Sequence, residues 1–268
     1  MIYSDIHTHT VCCDGKSTAE EMVKKAIEKG FESIGLSGHS YTGLGEDWCM
    51  SLENTKKYCE EIDALKEKYP QIDILKGIER DYYFSPDGQQ YDYVIGSLHY
   101  VEKDGKMHDV DHSAEAYANT VEKYFDGSYQ EFIEIYYKTV KEVVAKTDAD
   151  VVGHFDLVTK FNEGNRFFDE DADWYKKCIT DALDEVTKTK PVFEVNTGAI
   201  SRGYNRIYPS EFILKEIKKR GCDVVITSDC HNADTLGCAY DQAIDRVKKC
   251  GFEKVKVLTS KGFVDRKV

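Results

Sequence analysis

Short apolar segments alternate with longer amphipathic segments along almost the whole chain. Runs of about four to eight apolar residues are typical of buried strands, whereas apolar residues that recur every three or four positions are typical of helices. The pattern predicts strands at residues 2–10, 33–37, 72–78, 93–98, 151–153, 192–196, 224–227 and 255–258. It predicts helices at residues 18–29, 52–68, 114–146, 174–187, 209–219 and 240–249, the first capped by Ser17 or Thr18 and the third broken at Asp126–Gly127.

The alternation of strands and helices determines the expected fold class. Strands that alternate with helices form parallel βαβ units. About seven or eight such units in a chain of 268 residues favour an α/β fold whose sheet closes into a regular or distorted TIM-like barrel. No linker, repeat or low-complexity segment divides the sequence. We therefore expect residues 1–268 to form a single domain.

Composition and charge exclude several classes of function. The formal net charge is -13, and because binding to nucleic-acid phosphates requires a basic surface, no nucleic-acid partner is expected. No run of about 18 apolar residues and no signal peptide is visible, so no membrane association is expected. The nine cysteines are odd in number and show no disulfide framework. Such thiols are typical of a reducing compartment, which predicts a cytoplasmic protein.

The candidate chemistry lies at the ends of the predicted strands. Most of the histidines stand at, or just after, the carboxyl end of a predicted strand: His7, His9, His39, His99, His154 and His231. In a barrel these ends converge on one face, where active sites are built. We therefore expect these side chains to point into one cavity. The other two, His108 and His112, lie in the polar loop 104–113 and are expected to be structural.

Carboxylates accompany these histidines at the same strand ends; they are Asp5, Asp14, Glu79 and Asp229. Alternation along the first strand puts Asp5, His7 and His9 on one face. Neutral imidazole and carboxylate together suit Zn²⁺, Mn²⁺ or Fe²⁺. Because the ligands outnumber what one ion can use, the sequence predicts a multinuclear metal site.

Six short motifs connect the chain to a known family. They are D-x-H-x-H at 5–9, S-G-H-S at 37–40, G-I-E at 77–79, G-S-L-H at 96–99, G-H-F-D at 153–156 and S-D-C-H at 228–231. With this ordered set, the chain resembles the polymerase and histidinol phosphatase superfamily over essentially its whole length. Segments 153–162 and 194–210 resemble most closely the histidinol-phosphate phosphatases of histidine biosynthesis.

The resemblance implies a distorted (β/α)7 barrel that holds three divalent metal ions, which would be Zn, Mn or Fe. The implied ligands, grouped by ion, are His7, His9, Glu79 and Asp229; Glu79, His99 and His154; and Asp14, His39 and His231. Glu79 would bridge the first two ions. Some members of the superfamily have a histidine where this chain has Asp14, so the third ion would have a harder and more anionic site.

The resemblance also implies hydrolysis of a small phosphomonoester, with L-histidinol phosphate as the expected substrate. Two ions about 3.5–4 Å apart can hold a bridging hydroxide for attack on phosphorus. Glu79, Asp229 and His99 are therefore the predicted catalytic residues. Arg202 is the preferred candidate for binding the phosphate, because a guanidinium fork matches phosphate oxygens. Two further candidates for this role are Lys160 and Arg166.

Several interpretations stay open from the residues alone. Asp109 and Asp111 could meet an amine of the substrate, although a solvated acidic loop is the simpler interpretation. Tyr204 and Tyr208 could line the mouth of the pocket. A related phosphoesterase that acts on a nucleotide, a sugar phosphate or phosphotyrosine is the alternative enzyme. A non-catalytic metal-binding module is the alternative outside catalysis.

Overall fold

A computed structural model describes residues 4–268, so the first two residues of the predicted strand 2–10 lie outside the described residues. Within this range the strands are β1 (Ser4–Asp5), β2 (Ser33–Leu36), β3 (Asp73–Asp81), β4 (Tyr93–Ser97), β5 (Tyr100–Lys103), β6 (Lys106–Asp109), β7 (Val151–Val152), β8 (Val192–Asn196), β9 (Val224–Thr227), β10 (Lys254–Thr259) and β11 (Gly262–Lys267). The helices are α1 (Ala19–Glu28), α2 (Leu52–Lys68), α3 (Ala114–Tyr124), α4 (Tyr129–Val140), α5 (Val143–Thr147), α6 (Asp173–Val186), α7 (Gly198–Ser201), α8 (Glu211–Lys219) and α9 (Tyr240–Lys249). Each predicted strand and helix is present, although β1 is shorter than predicted.

Seven parallel strands form the wall of the fold, in the order β1–β2–β3–β4–β7–β8–β9. The chain just after β1 then meets the chain just after β9. Thr8 forms a parallel bridge with Cys230, and the amide of His9 donates to the Cys230 carbonyl at 2.9 Å. This contact closes the curled sheet, which confirms the distorted (β/α)7 barrel. Beyond it, β10 joins β9 in parallel and β11 joins β10 antiparallel.

Local sequence signals begin and end the helices. Thr18 caps α1, because its side chain accepts from the amide of Glu21 while the Glu21 carboxylate accepts from the amide of Thr18. The long helical segment 114–146 is divided into α3, α4 and α5. The first break falls at Asp126 and Gly127, where both residues have positive φ. The predicted break is therefore confirmed.

No helix within residues 4–268 is long and apolar enough to cross a membrane.

Residues 104–113 differ from the polar loop that the sequence predicts, because part of this segment belongs to the hairpin β5–β6. Asp104 and Gly105 join the two strands with φ of 53° and 72°, as a tight two-residue hairpin turn requires. Each strand has only four residues, which is too short for an alternating pattern to stand out. The hairpin matters for function because its end carries Asp109 to the mouth of the barrel.

Apolar side chains fill the barrel beneath the strand ends. Leu75 precedes Glu79 by four residues in β3 and Ile95 pairs with Glu79 from β4, so all three side chains share the inner face. Tyr93 also lies inside, where its hydroxyl donates to the carbonyl of Ile6 at 2.6 Å. Its ring passes so close to Gly77 that a Cβ there would lie 2.1 Å from it. This packed floor leaves the polar side chains gathered at the opposite mouth.

Candidate metal centre

The strand-end histidines and three carboxylates come together at the carboxyl mouth of the barrel. They are placed by β1 (His7, His9 and the following Asp14), β2 (His39), β3 (Glu79), β4 (His99), β7 (His154) and β9 (Asp229, His231). All are buried except Asp14 and His231, whose side chains are 32% and 20% exposed. Asp5 lies deeper and accepts hydrogen bonds from the amide and hydroxyl of Ser228. It therefore supports the chain next to Asp229 and does not face the cavity.

Glu79 stands between two groups of imidazoles. Its Oε2 lies 3.2 Å from His7 Nε2 and 3.5 Å from His9 Nε2. Its Oε1 lies 2.9 Å from His154 Nε2 and 3.5 Å from His99 Nε2. A carboxylate whose two oxygens face separate imidazole groups is arranged to bridge two metal ions.

The first group has the spacing that one metal ion requires. Two ligands about 2.1 Å from one tetrahedral ion lie about 3.4 Å apart. Asp229 Oδ1 lies 3.2 Å from His9 Nε2 and 3.8 Å from His7 Nε2. Within residues 4–268, the buried atoms His7 Nε2, His9 Nε2 and Glu79 Oε2 have no hydrogen-bond partner. Leaving them unpaired would be costly, so a cation fits this position.

A separate outer group, formed by Asp14, His39 and His231, is also suited to a cation. Asp14 lies 3.0 Å from His231 Nε2 and 3.7 Å from His39 Nε2. Its distance from His9 Nδ1 is 3.7 Å. His39 also reaches inwards, since its Nδ1 lies 2.8 Å from Glu79. The outer group therefore adjoins the inner group, which consists of Glu79 and the residues around it: His7, His9, His99, His154 and Asp229.

Burial and mutual charge prepare these side chains to receive cations. Burial, together with the neighbouring His231 and His39, lowers the pKa of His9 to about 3, so its imidazole is neutral. Burial alone would raise the pKa of Glu79, yet the facing His39 and His7 hold that pKa well below its usual range. Burial likewise opposes the charged form of His99, but Glu79 and Asp81 raise its pKa to about 10. A metal ion bound at His99 would thus displace a proton.

Glu194 contacts the inner group, although it is not among the site residues predicted from the sequence. This carboxylate is fully buried in β8, and its Oε1 lies 2.5 Å from His7 Nδ1. Its Oε2 accepts from the amide of His154 at 2.7 Å. A carboxylate on the far nitrogen of a metal-binding histidine fixes the ring and its tautomer. The sequence feature that could have identified Glu194 is the presence of an acidic residue in the buried strand segment VFEVN.

Asp81 has the same role for His99. It is 1% exposed, and its Oδ2 lies 3.0 Å from His99 Nδ1 and also accepts from the His99 amide. Its other oxygen accepts from the amide of Tyr83 at 2.7 Å. The His99 ring is thereby turned so that Nε2 faces Glu79.

We expect Glu194→Gln to weaken metal binding about 10- to 100-fold while the barrel stays folded, because an amide cannot replace both accepting oxygens. The measurement is titration of metal-stripped protein with Mn²⁺ or Zn²⁺. Glu185→Gln, on the exposed surface of α6, serves as the matched control. Excess metal should restore activity to the variant, and wild-type affinity in Glu194→Gln would show that His7 does not depend on this contact.

Arg202 lies beside the metal centre. Its Nη2 is 3.4 Å from Asp229 Oδ1 and 2.9 Å from His231 Nδ1. Gly198 makes this position possible, because a Cβ there would lie 2.8 Å from Arg202 Nη1. Asp229 itself has φ of 46°, a conformation that few side chains adopt and that is often found at functional sites.

The two other cationic candidates differ in position. Lys160 lines the cavity, but its Nζ is held by the carbonyl and carboxylate of Asp111 at 2.8 and 2.9 Å. Arg166 packs over Phe167 at 4.8 Å and lines a separate depression together with Tyr204. The structure therefore does not bring Arg166 to the metal centre.

The cavity over the metal centre has a volume of about 240 Å³. Trp48 forms one side, with its ring 4.7 Å from His39 and 5.6 Å from His99, and its Nε1 donates to the Tyr100 hydroxyl. Tyr208 and His112 also line this cavity. His108 is buried against the Tyr124 ring at 4.6 Å and is not among the residues that line it.

A barrel that gathers buried imidazoles around a shared carboxylate, beside an arginine in an open cavity, defines a metal-dependent hydrolase. The family model of the PHP domain matches residues 5–198. The chain belongs to the PHP family.

Several proteins of known name or structure are similar to this chain. The histidinol-phosphatase of Bacillus subtilis is 27% identical over 90% of this chain and 98% of its own length. A histidinol phosphate phosphatase of Lactococcus lactis, solved with zinc, L-histidinol and phosphate, superposes with a TM-score of 0.73 over 98% of both chains at 20% identity. The Bacillus subtilis DNA polymerase/3'-5' exonuclease PolX is 32% identical, but over only 37% of this chain and 18% of that protein. The Lactococcus lactis structure agrees with the barrel described above.

Proposed function

We propose that this chain hydrolyses L-histidinol phosphate to L-histidinol and phosphate in a metal-dependent reaction. The observation that carries the proposal is the position of Glu79 between two imidazole groups, with Arg202 on the edge of the same cavity. The names of the full-length relatives support the substrate. We further propose that residues 1–268 act as one unit.

The proposed metal complement is three divalent ions, of Zn, Mn or Fe. The two inner ions would share Glu79 and use His7, His9, Asp229, His99 and His154. The outer ion would use Asp14, His39 and His231. Bound ions of this kind supply Lewis-acid activation of water and offset the charge on phosphate.

The residues of this chain position the substrate and the metal centre. Glu79, Asp229 and His99, the proposed catalytic residues, hold the inner centre rigidly because each is buried and engages its neighbours. Arg202 can donate two parallel hydrogen bonds to phosphate oxygens, since its guanidinium borders the cavity. Lys160 is a secondary candidate for this role, and its ion pair with Asp111 would have to loosen first.

A related phosphoesterase acting on nucleotides, sugar phosphates or phosphotyrosine is the second candidate. The partial similarity to PolX favours such a reaction, because part of this chain resembles part of a DNA polymerase/3'-5' exonuclease. Against it, Asp109 and Asp111 line the cavity, where Asp109, which is not paired with a cation as Asp111 is with Lys160, would repel an anionic leaving group.

The test is a comparison of kcat/KM across phosphomonoesters. We expect L-histidinol phosphate to exceed p-nitrophenyl phosphate, a nucleoside monophosphate, a sugar phosphate and phosphotyrosine by at least about 100-fold, since enzymes discriminate through contacts with the leaving group. Glu79→Ala protein, prepared in the same way, controls for contaminating phosphatases. Equal or faster hydrolysis of a nucleotide or sugar phosphate would replace the proposed substrate and retain the phosphatase.

A further inference from the structure

The cavity over the metal centre is lined by an acidic pair that the hydrolysis of a phosphate does not itself require. Asp109 ends β6, and Asp111 follows it in the loop that lies over the barrel mouth; both line the cavity. Such a loop would by itself be only a solvated acidic turn. Its hydrogen bonds and its neighbours in the cavity decide whether it can serve a ligand.

The two carboxylates are engaged differently. Asp111 is paired, because its Oδ2 lies 2.9 Å from Lys160 Nζ. Asp109 uses Oδ1 to accept from the amides of Asp111 and His112, both at 2.7 Å. In the part of the chain that the structure describes, no group donates a hydrogen bond to Asp109 Oδ2. Asp109 therefore lines the cavity with one carboxylate oxygen that accepts no hydrogen bond from the described residues.

An independent observation on the same cavity points to a polar ligand. The Tyr208 side chain is 2% exposed, and its hydroxyl has no hydrogen-bond partner within residues 4–268 although it borders the cavity. A buried hydroxyl without a partner is costly unless a ligand satisfies it. Burial raises the pKa of Asp109, and the negative charge of the adjacent Asp111 raises it further. A cation beside Asp109 would relieve the repulsion between the two carboxylates.

The cavity thus combines opposite charges. Arg202 and the metal ligands suit the phosphate, whereas Asp109 lines the same cavity with a carboxylate that phosphate binding does not use. We propose that Asp109 selects phosphomonoesters whose leaving group carries an ammonium, with the Tyr208 hydroxyl hydrogen-bonded to the polar part of that group. The inference rests on the proposed phosphatase function and names what its site prefers. A neutral leaving group gains nothing from Asp109, and an anionic one is repelled.

The substitution that isolates this charge is Asp109→Asn. An asparagine oxygen can still accept from the amides of Asp111 and His112, so the loop should keep its shape. The substrates are L-histidinol phosphate and its Nα-acetyl derivative, which lacks the ammonium. In wild type, kcat/KM should favour the ammonium substrate, and Asp109→Asn should reduce that ratio about 10- to 100-fold, the effect expected when a close charge pair is lost. Glu102→Gln, an exposed residue of β5, is the matched control and should leave the ratio unchanged.

A measurement on the unmodified enzyme covers the case in which Asp109→Asn does not fold. L-Histidinol should inhibit p-nitrophenyl phosphate hydrolysis at least about 10-fold more strongly than Nα-acetyl-L-histidinol. An unchanged substrate ratio in a folded Asp109→Asn, or equal inhibition by the two alcohols, would overturn the inference. Failure of the proposed substrate would appear separately, as a low wild-type rate on L-histidinol phosphate. The same ratio could then be measured with phosphoethanolamine and its N-acetyl derivative.

Discussion

Removal of divalent ions is expected to abolish phosphomonoester hydrolysis and to lower the melting temperature by roughly 5–10 °C. The chemical loss follows because the cavity brings together imidazoles and carboxylates, none of which is placed as a nucleophile for phosphorus without an ion to activate water. The thermal shift follows because an ion present at about 100 times its Kd stabilises the folded state by about 2.7 kcal/mol. Turnover and thermal melting would be recorded before chelation, after it, and after separate additions of Mn²⁺, Zn²⁺ and Fe²⁺.

The turnover restored by each added metal also identifies the ion that supports catalysis best. Imidazole and carboxylate ligands suit all three ions, so the return of activity with at least one of them is required. Mg²⁺ is the matched control, because it prefers oxygen ligands and should restore little. Undiminished turnover in protein shown by elemental analysis to be free of metal would exclude the proposed mechanism.

The sequence was sufficient for the barrel because its strands are short, apolar and regularly separated by helices. It also located the strand-end histidines, since parallel strands bring their carboxyl ends to one mouth. The sequence pattern did not predict the hairpin β5–β6, because strands of four residues carry little periodic signal. The consequence is functional, since the loop after β6 carries Asp109 and Asp111 into the cavity.

The supporting carboxylates could not be identified in the same way. Glu194 and Asp81 act through His7 and His99, and only the fold shows that these side chains meet. The local backbone conformation could not be predicted from the sequence either. Asp229 adopts positive φ, so its position beside Arg202 does not follow from strand alternation.

Cationic residues are the hardest to assign from sequence, because a long side chain can point to solvent or to a site. Arg202, Lys160 and Arg166 were all candidates for binding phosphate. Arg202 is held beside Asp229, whereas Lys160 is tied to Asp111 and Arg166 lines another depression. The sequence already favoured Arg202, and tertiary contacts separate it further from the two other candidates.

Replacing Glu79 and Asp14 in turn should distinguish a bridging ligand from a terminal one. Glu79 faces both inner imidazole groups, so Glu79→Ala should lose about two ions and reduce kcat by at least about 10³-fold. Asp14 lies 3.0 Å from His231 and 3.7 Å from His39 of the outer group and approaches the inner group only at His9 Nδ1, so Asp14→Ala should lose about one ion and keep measurable turnover. The measurement is elemental analysis of both purified variants beside wild type, with circular dichroism to confirm the fold.

The design of this comparison makes each outcome informative. Glu60→Ala, on the exposed surface of α2, is the control and should retain every ion. Both test residues line a polar cavity, so neither substitution removes apolar packing, and any loss of thermal stability should follow the loss of metal. Equal metal loss in the two variants would mean that Asp14 also supports the inner centre; His39 provides a route, because it approaches both Asp14 and Glu79. Full metal occupancy in Glu79→Ala would remove Glu79 as the bridge, because the inner histidines and Asp229 would then suffice to hold both ions.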